Sequence, residues 1–277
     1  MKINDGDMQK QTKVHVIYLA PMMGSKPQYL WKYMNWNDPR KLVEEYIRAI
    51  TIASKGEVSY QVVSADEVVR PYPLEDGYRY GEEELLDVIL HHREAHQPER
   101  MDYRAMLSAD LLQFIRRGKV DEVWVMGYPY AGLWEAAMGG PDPFNVNGGP
   151  IMGTAAAGRR FVVMGFNYER GVGEMLESFG HRVERTLART FDRDQVLNWY
   201  YKRENYGVVP SPAANEWDQF LADQGTVHRE AGAPAHLPDG SFADYFWHHG
   251  IEEHHRRWLG ALQAEWWKHV VHVNDYF

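Results

Sequence analysis

The spacing of apolar positions along this chain changes period repeatedly, and each change predicts an element. Val14–Leu19 (VHVIYL) is an unbroken apolar run of strand length that stops at Ala20-Pro21. Helical spacing follows from Asp38-Pro39 through KLVEEYIRAITIAS and ends near Gly56. Aspartate suits that start because its carboxylate can take an orphan backbone N–H, and proline suits a first turn whose N–H has no helical partner. Val58–Val63 (VSYQVV) predicts a second strand, and helical spacing returns over Glu82 to about His96 and over Tyr103–Arg117. Val120–Met126 (VDEVWVM) predicts a third strand with Gly127-Tyr128-Pro129-Tyr130 at its far end. Residues 139–158, GGPDPFNVNGGPIMGTAAAG, are too rich in glycine and proline for a regular element and predict a mobile loop that walls a cleft. Phe161–Met164 is a fourth strand, and a strongly patterned helix follows it.

Strands and helices alternating in this way predict an α/β fold with three layers, a mostly parallel sheet and helices on both faces. Ligands of such sheets bind beyond the carboxyl ends of the strands. Here those ends are Ala20–Gly24, Gly127–Glu135 and Gly165–Arg170. From about residue 190 the pattern loosens. Asp192–Tyr201 and Ala213–Ala222 have helical spacing, and Gly225–Asp244 is irregular and carries prolines. Ile251–Val271 reads as one helix with Trp258, Leu262, Trp266 and Val270 on a stripe. No repeat or linker interrupts the chain. The expected organisation is therefore a flexible tail over 1–12 and a single α/β domain over 13–277, ending in a helical and loop elaboration.

The 277 residues are 44% apolar and 13% aromatic, enough to bury a sizeable core. A net charge of −9 with no basic stripe argues against nucleic acid as a partner. The absence of cysteine removes disulfides, thiolate metal sites and a cysteine nucleophile. No run reaches the ~18 apolar residues of a membrane span, and the start, MKINDGDMQKQTK, lacks the apolar segment of a signal peptide. A cytoplasmic protein is expected unless a leader has been removed. Ten tryptophans and seventeen tyrosines serve the core, and would also suit a groove for a peptide or glycan-like substrate.

Candidate chemistry concentrates in Arg170–Glu184, RGVGEMLESFGHRVE. At about 100° per residue, Glu174, Glu177, His181 and Glu184 share one side of a helix, and Met175, Leu176, Phe179, Val183 and Leu187 share the other. Glutamate and histidine at i, i+3 or i, i+4 are spaced to chelate one ion or to pair an acid with a base. The same spacing would serve a solvated face laced with Glu–Arg pairs, so the outcome turns on whether another segment covers it. His228, just before an irregular stretch, is the best candidate for a third ligand, with Asp239 and Asp244 behind it. Glu135 follows a strand end and could be an active-site carboxylate, paired with Glu174 or Glu184 as in a glycosidase, or simply a first-turn helix residue. His248, His249, His254 and His255 crowd one stretch without a closed-site spacing. The GVG at 171–173 lacks the rest of a dinucleotide fingerprint, and neither a GxSxG elbow nor a Walker lysine occurs.

In pattern, the chain resembles a family of bacterial, often secreted, hypothetical proteins. Their marks are a DEVW-like strand before a Gly-rich turn, a W-E-x-x-M element, a Y-x-R-G-x-G-E-x-L-x-x-x-x-H-x-x-E helix, and a G-x-x-H followed by a D-Y pair. The corresponding residues here are Asp121–Trp124, Trp134-Glu135 with Met138, Tyr168–Glu184, Gly225 with His228, and Asp244-Tyr245. The resemblance implies that Glu135, Glu174, His181, Glu184, His228 and Asp244 gather into one site, and implies no particular activity. One departure is the run Arg229-Glu230-Ala231 after His228, where relatives carry G-x-x-H-x-P-P-N.

The expected function is that of a hydrolase dependent on a divalent metal, zinc first, acting on a small-molecule, peptide or glycan-like substrate. Its ligands would be His181, His228 and Glu177 or Glu184, with Glu174 or Glu135 as general base toward metal-activated water. Tyr130, Trp134, Tyr168, Arg170 and Asp244 are the expected substrate contacts. The alternatives are a metal-free glycosidase using paired glutamates and a non-catalytic carbohydrate or peptide binder.

Overall fold

β1 (Thr12–Leu19) carries side chains buried almost throughout, because it lies inside a sheet with a neighbour on each side. The structure, a computed structural model, describes residues 11–191, 216–227 and 251–277. On one side β1 pairs with β4 (Tyr60–Val68), on the other with β5 (Glu122–Gly127), both parallel. β7 (Phe161–Asn167) continues the parallel set beyond β5. β6 (Ala136–Gly139) closes that edge antiparallel to β7, so the five-stranded order is β4-β1-β5-β7-β6. A short antiparallel ribbon, β2 (Met22–Met23) with β3 (Gln28–Tyr29), follows β1 and leads into the single turn α1 (Leu30–Tyr33). With helices packed around this mostly parallel sheet, the fold is the expected three-layer α/β arrangement.

Burial explains the strand patterns. β5 and β7 are apolar and buried along nearly their whole length, as strands covered on both faces must be. β4 has a neighbour on one side only, and most of it is exposed. The alternation that marks a half-covered strand is therefore weak there, and β4 starts and ends later than predicted. β6 escaped prediction because Ala136-Ala137-Met138-Gly139 holds no β-branched residue. β1 begins at Thr12, inside the segment read as a tail.

The helices follow their local signals. In α2 (Pro39–Ala53) the Asp38 carboxylate accepts the Arg40 N–H at 2.9 Å, the cap that the sequence predicted. α3 (Glu82–Ile89) stops earlier than its predicted end near His96. The predicted helix over Tyr103–Arg117 is divided into α4 (Tyr103–Met106) and α5 (Ala109–Arg116), because Ser108 turns its hydroxyl onto Leu111 N–H and restarts the helix. α6 (Val172–Thr190) is the long patterned helix, and its predicted apolar side is buried. α7 (Glu216–Gln224) is followed, after residues 228–250, by α8 (Ile251–Gly260), α9 (Ala264–Val271) and α10 (Val273–Tyr276), where the sequence predicted one helix over 251–271. The predicted helix Asp192–Tyr201 lies outside the described residues.

α6 lies between the sheet and the C-terminal helices, touching α2, α8 and α9. Two of its glycines allow that closeness. A Cβ at Gly173 would stand 2.6 Å from Ile251 Cγ2, and one at Gly180 would stand 2.2 Å from Val227 Cγ2. Seven residues apart, the two lie on one side of the helix, about two turns from each other. The C-terminal part of the chain seats in these notches, so the polar side of α6 is covered and not solvated.

Candidate metal centre

The site begins where β7 delivers the chain to α6. Glu174 stands at the third position of α6, and its Oε2 accepts the Gly171 N–H at 2.9 Å, the glutamate half of a capping box. Burial raises its pKa above the ordinary carboxylate value. One expected general base thus has a carboxyl oxygen tied to the helix start, although it still lines the cavity described below.

Glu177 and His181 follow at one-turn intervals, and both are partly buried. Glu135 meets them from the other side: it immediately precedes β6, whose pairing with β7 carries it to the N-terminal half of α6. One donor atom from each of Glu135, Glu177 and His181 lies within 4.8 Å of the others. His181 Nε2 stands 3.8 Å from Glu135 Oε2 and 3.9 Å from Glu177 Oε1. Two atoms each ~2.0–2.2 Å from a shared ion can be at most ~4.4 Å apart. Both His181 distances fall inside that limit, and the trio could hold a metal ion.

Glu184 takes a different place from the one expected. Its Oε2 lies 3.4 Å from the other imidazole nitrogen, His181 Nδ1, and its Oε1 accepts the Val227 N–H at 2.9 Å. With Glu184 against Nδ1, a neutral His181 ring would carry its one proton there and turn Nε2 toward Glu135 and Glu177, as in a metal-bound histidine backed by a carboxylate. Glu135 is held in turn by Asn147, whose Nδ2 donates to Oε2. The Asn147 backbone has φ 147°, a region that residues with a side chain rarely adopt.

The charges do not balance. Burial, and then the charge of Glu135, push the Glu177 pKa up to about 7. Burial alone would lower that of His181, but the hydrogen bond to Glu184 and the charges of Glu135, Glu184 and Glu177 outweigh it and hold it above the ordinary value. Crowded carboxylates acquire protons or a cation. This group is built to keep positive charge beside it.

A cavity of about 830 Å³ opens beside the cluster, lined by Glu135, Glu174 and Glu177 and, beyond the ends of β5 and β7, by residues 128–134 and 165–170 except 168. Tyr130, Trp134 and Arg170 line it, as predicted for substrate contacts. Arg100 stacks its guanidinium over Trp134 at 5.0 Å, and Tyr130 Oη lies 3.4 Å from His91 Nδ1. Tyr168 does not line it: the ring is fully buried against Trp31, Trp36 and Tyr128, a core position. The loop over 139–158 does not wall it either. That loop is pinned along its length, with Gly148 N–H on Ala136 O at 2.7 Å and Ile151 N–H on Met138 O at 2.8 Å. The wall is the segment 97–100 instead, which carried no signal in the sequence. His228, Asp239 and Asp244 lie outside the described residues.

Among the described residues no helix is long and apolar enough to cross a membrane. No family model, curated protein or solved structure matches the chain.

Proposed function

We propose that this protein is a hydrolase that works with a divalent ion held by Glu135, Glu177 and His181. The observation that carries the reading is the convergence of these three donors at the cavity edge, with Nε2 of His181 facing Glu135 and Glu177 while Glu184 lies at Nδ1. Two carboxylates and one imidazole, with no thiolate, suit zinc or manganese. An ion there would lower the pKa of a coordinated water toward ~7 and so supply a nucleophile at neutral pH. Glu174 is the candidate base beside it, and Tyr130 and Trp134 offer ring faces to a sugar or an apolar side chain. The acidic lining disfavours phosphate-rich substrates, so neutral or cationic peptides and glycans are the class to test.

The test is elemental analysis of protein purified without a histidine tag, followed by titration with zinc and manganese and assays on peptide and glycan panels. One tightly held ion per chain, lost in both Glu177→Gln and His181→Ala together with any hydrolysis, is the expected result. Sub-stoichiometric metal, or activity that survives both substitutions, overturns the reading.

A second reading has one observation in its favour. A Glu177 carboxyl with a pKa of about 7 beside Glu135 is also an acid paired with a carboxylate, as in a metal-free glycosidase. Glycan hydrolysis that persists in chelator would select it.

A further inference from the structure

The side chain of His254, in α8, is buried and remote in sequence from the cluster. Its Nε2 lies 3.2 Å from the Val227 carbonyl oxygen. A carbonyl can only accept, so this nitrogen carries the proton and donates. The N–H of the same Val227 donates to Glu184 Oε1 at 2.9 Å, and Glu184 Oε2 faces His181 Nδ1 at 3.4 Å. Val227 is thus held at both ends, by α8 on one side and by the carboxylate behind His181 on the other. Gly180, immediately before His181, is what lets Val227 come this close, since a Cβ there would overlap the valine side chain. Next to His254, His255 Nδ1 donates to Gly173 O at 2.7 Å and ties α8 to the first turn of α6.

We propose that His254 is a positioning residue for this centre, acting through Val227 and Glu184 to hold the His181 ring with Nδ1 on Glu184 and Nε2 aimed between Glu135 and Glu177. The inference rests on the metal reading for its purpose, but the positioning itself is a property of the chain alone. Ligand-backing groups of this kind alter metal affinity because their effect passes through the orientation of one imidazole. The four histidines at 248–255, which show no metal-ligand spacing, therefore include at least one residue with a defined task.

The experiment uses the full chain as wild type, His254→Phe, His254→Gln and Glu184→Gln. Two readouts are taken: the His181 ring tautomer from 15N–1H correlation spectra without metal, at a pH above the ring's titration so that it carries one proton, and zinc affinity by competition with a chelating dye. In wild type that one proton is expected on Nδ1. His254→Phe is expected to shift the ring toward a mixture of tautomers and to weaken zinc roughly 10-fold, the scale of a lost outer-shell partner. His254→Gln, whose amide can still donate to Val227 O, is expected to keep both near wild type. Adding His254→Phe to Glu184→Gln is expected to cost nothing further in affinity.

A folded His254→Phe with an unchanged tautomer and unchanged zinc affinity overturns the proposal. Additive losses in the double variant overturn it too, and this arm stands if His254→Phe alone proves too unstable to study, with His254→Asn in its place. If wild type binds no zinc but the tautomer still shifts in His254→Phe, the metal reading fails and the positioning role stands.

Discussion

Adjacent residues of α6 enter two polar clusters, one buried and one partly exposed, that obey opposite rules. Arg182 turns to the sheet, where its Nη2 meets Glu122 Oε1 at 2.7 Å and the Val270 carbonyl at 2.7 Å. Glu122 also takes Trp124 Nε1 at 3.1 Å and Tyr60 Oη at 3.4 Å, and both charged residues are at most 2% exposed. Burial alone would lower the Arg182 pKa, but the Glu122 charge outweighs it, so one positive charge answers one negative charge within the chain. His181 turns the other way, to Glu135, Glu177 and Glu184 at 3.4 to 3.9 Å. There one imidazole faces three carboxylates, the contacts are long, and the site lies beside a cavity. A structural ion pair is closed on itself. The second cluster gathers three carboxylates around one imidazole, a donor set that could hold a metal ion.

The sharpest way to break this contrast is to neutralise one member of each cluster. Arg182→Met leaves Glu122 buried without its partner and is expected to cost on the order of 3–5 kcal/mol in urea unfolding. Glu177→Gln removes a carboxyl whose ionised form is disfavoured by burial and by Glu135, and without metal it is expected to leave stability unchanged or higher. Equal losses would mean that the two clusters are of one kind.

The next effect is on pH dependence. Glu177 has a pKa raised from 4.5 to about 7 in the folded chain, so between those values the folded form binds a proton that the unfolded form has released. Metal-free stability should therefore fall as pH rises through that window, by up to on the order of 3 kcal/mol. His181, also raised, acts in the same direction: the stability it adds below its unfolded pKa is lost as pH climbs through the folded one. With zinc or manganese present the slope should flatten or reverse, because the ion takes over from the protons. Melting temperature measured against pH, with and without metal, reads this directly. A flat metal-free profile would remove the charge imbalance from the argument.

The smallest expected effect is at Asn147. Replacing it with alanine removes the donor that holds Glu135 and should weaken metal by about 1 kcal/mol, roughly fivefold, with the fold unchanged. Calorimetric titration would resolve it, and an unchanged affinity would show that Glu135 needs no support.

Much of this was legible from periodicity. The parallel strands and α6 follow from apolar runs and a 3.6-residue repeat, because those signals are local. So was the helical half of the site, since Glu177 and His181 lie one turn apart on a single element. What stayed hidden depends on neighbours distant in sequence. Glu135 was in view, but its place as a donor depends on β6, which has no strand-forming residues of its own. Glu184 had the right spacing for a ligand and was drawn behind the ring by Val227. Asn147 meets Glu135 across 12 residues and His254 meets Val227 across 27, contacts for which composition and spacing carry no mark. Tyr168 erred the other way: a tyrosine at a strand end suits a binding wall, yet its ring completes the core between Trp31, Trp36 and Tyr128.

The notch at Gly180 also sets an order of events during synthesis. All three donors precede the end of α6, whereas the valine that fills the notch follows some forty residues later, and α8 later still. A nascent chain that has folded only as far as α6 would hold the three side chains and Glu184 but lack the Val227 N–H that fixes Glu184. If an ion binds as proposed, full affinity would arrive as a late step, when the segments bearing Val227 and α8 dock.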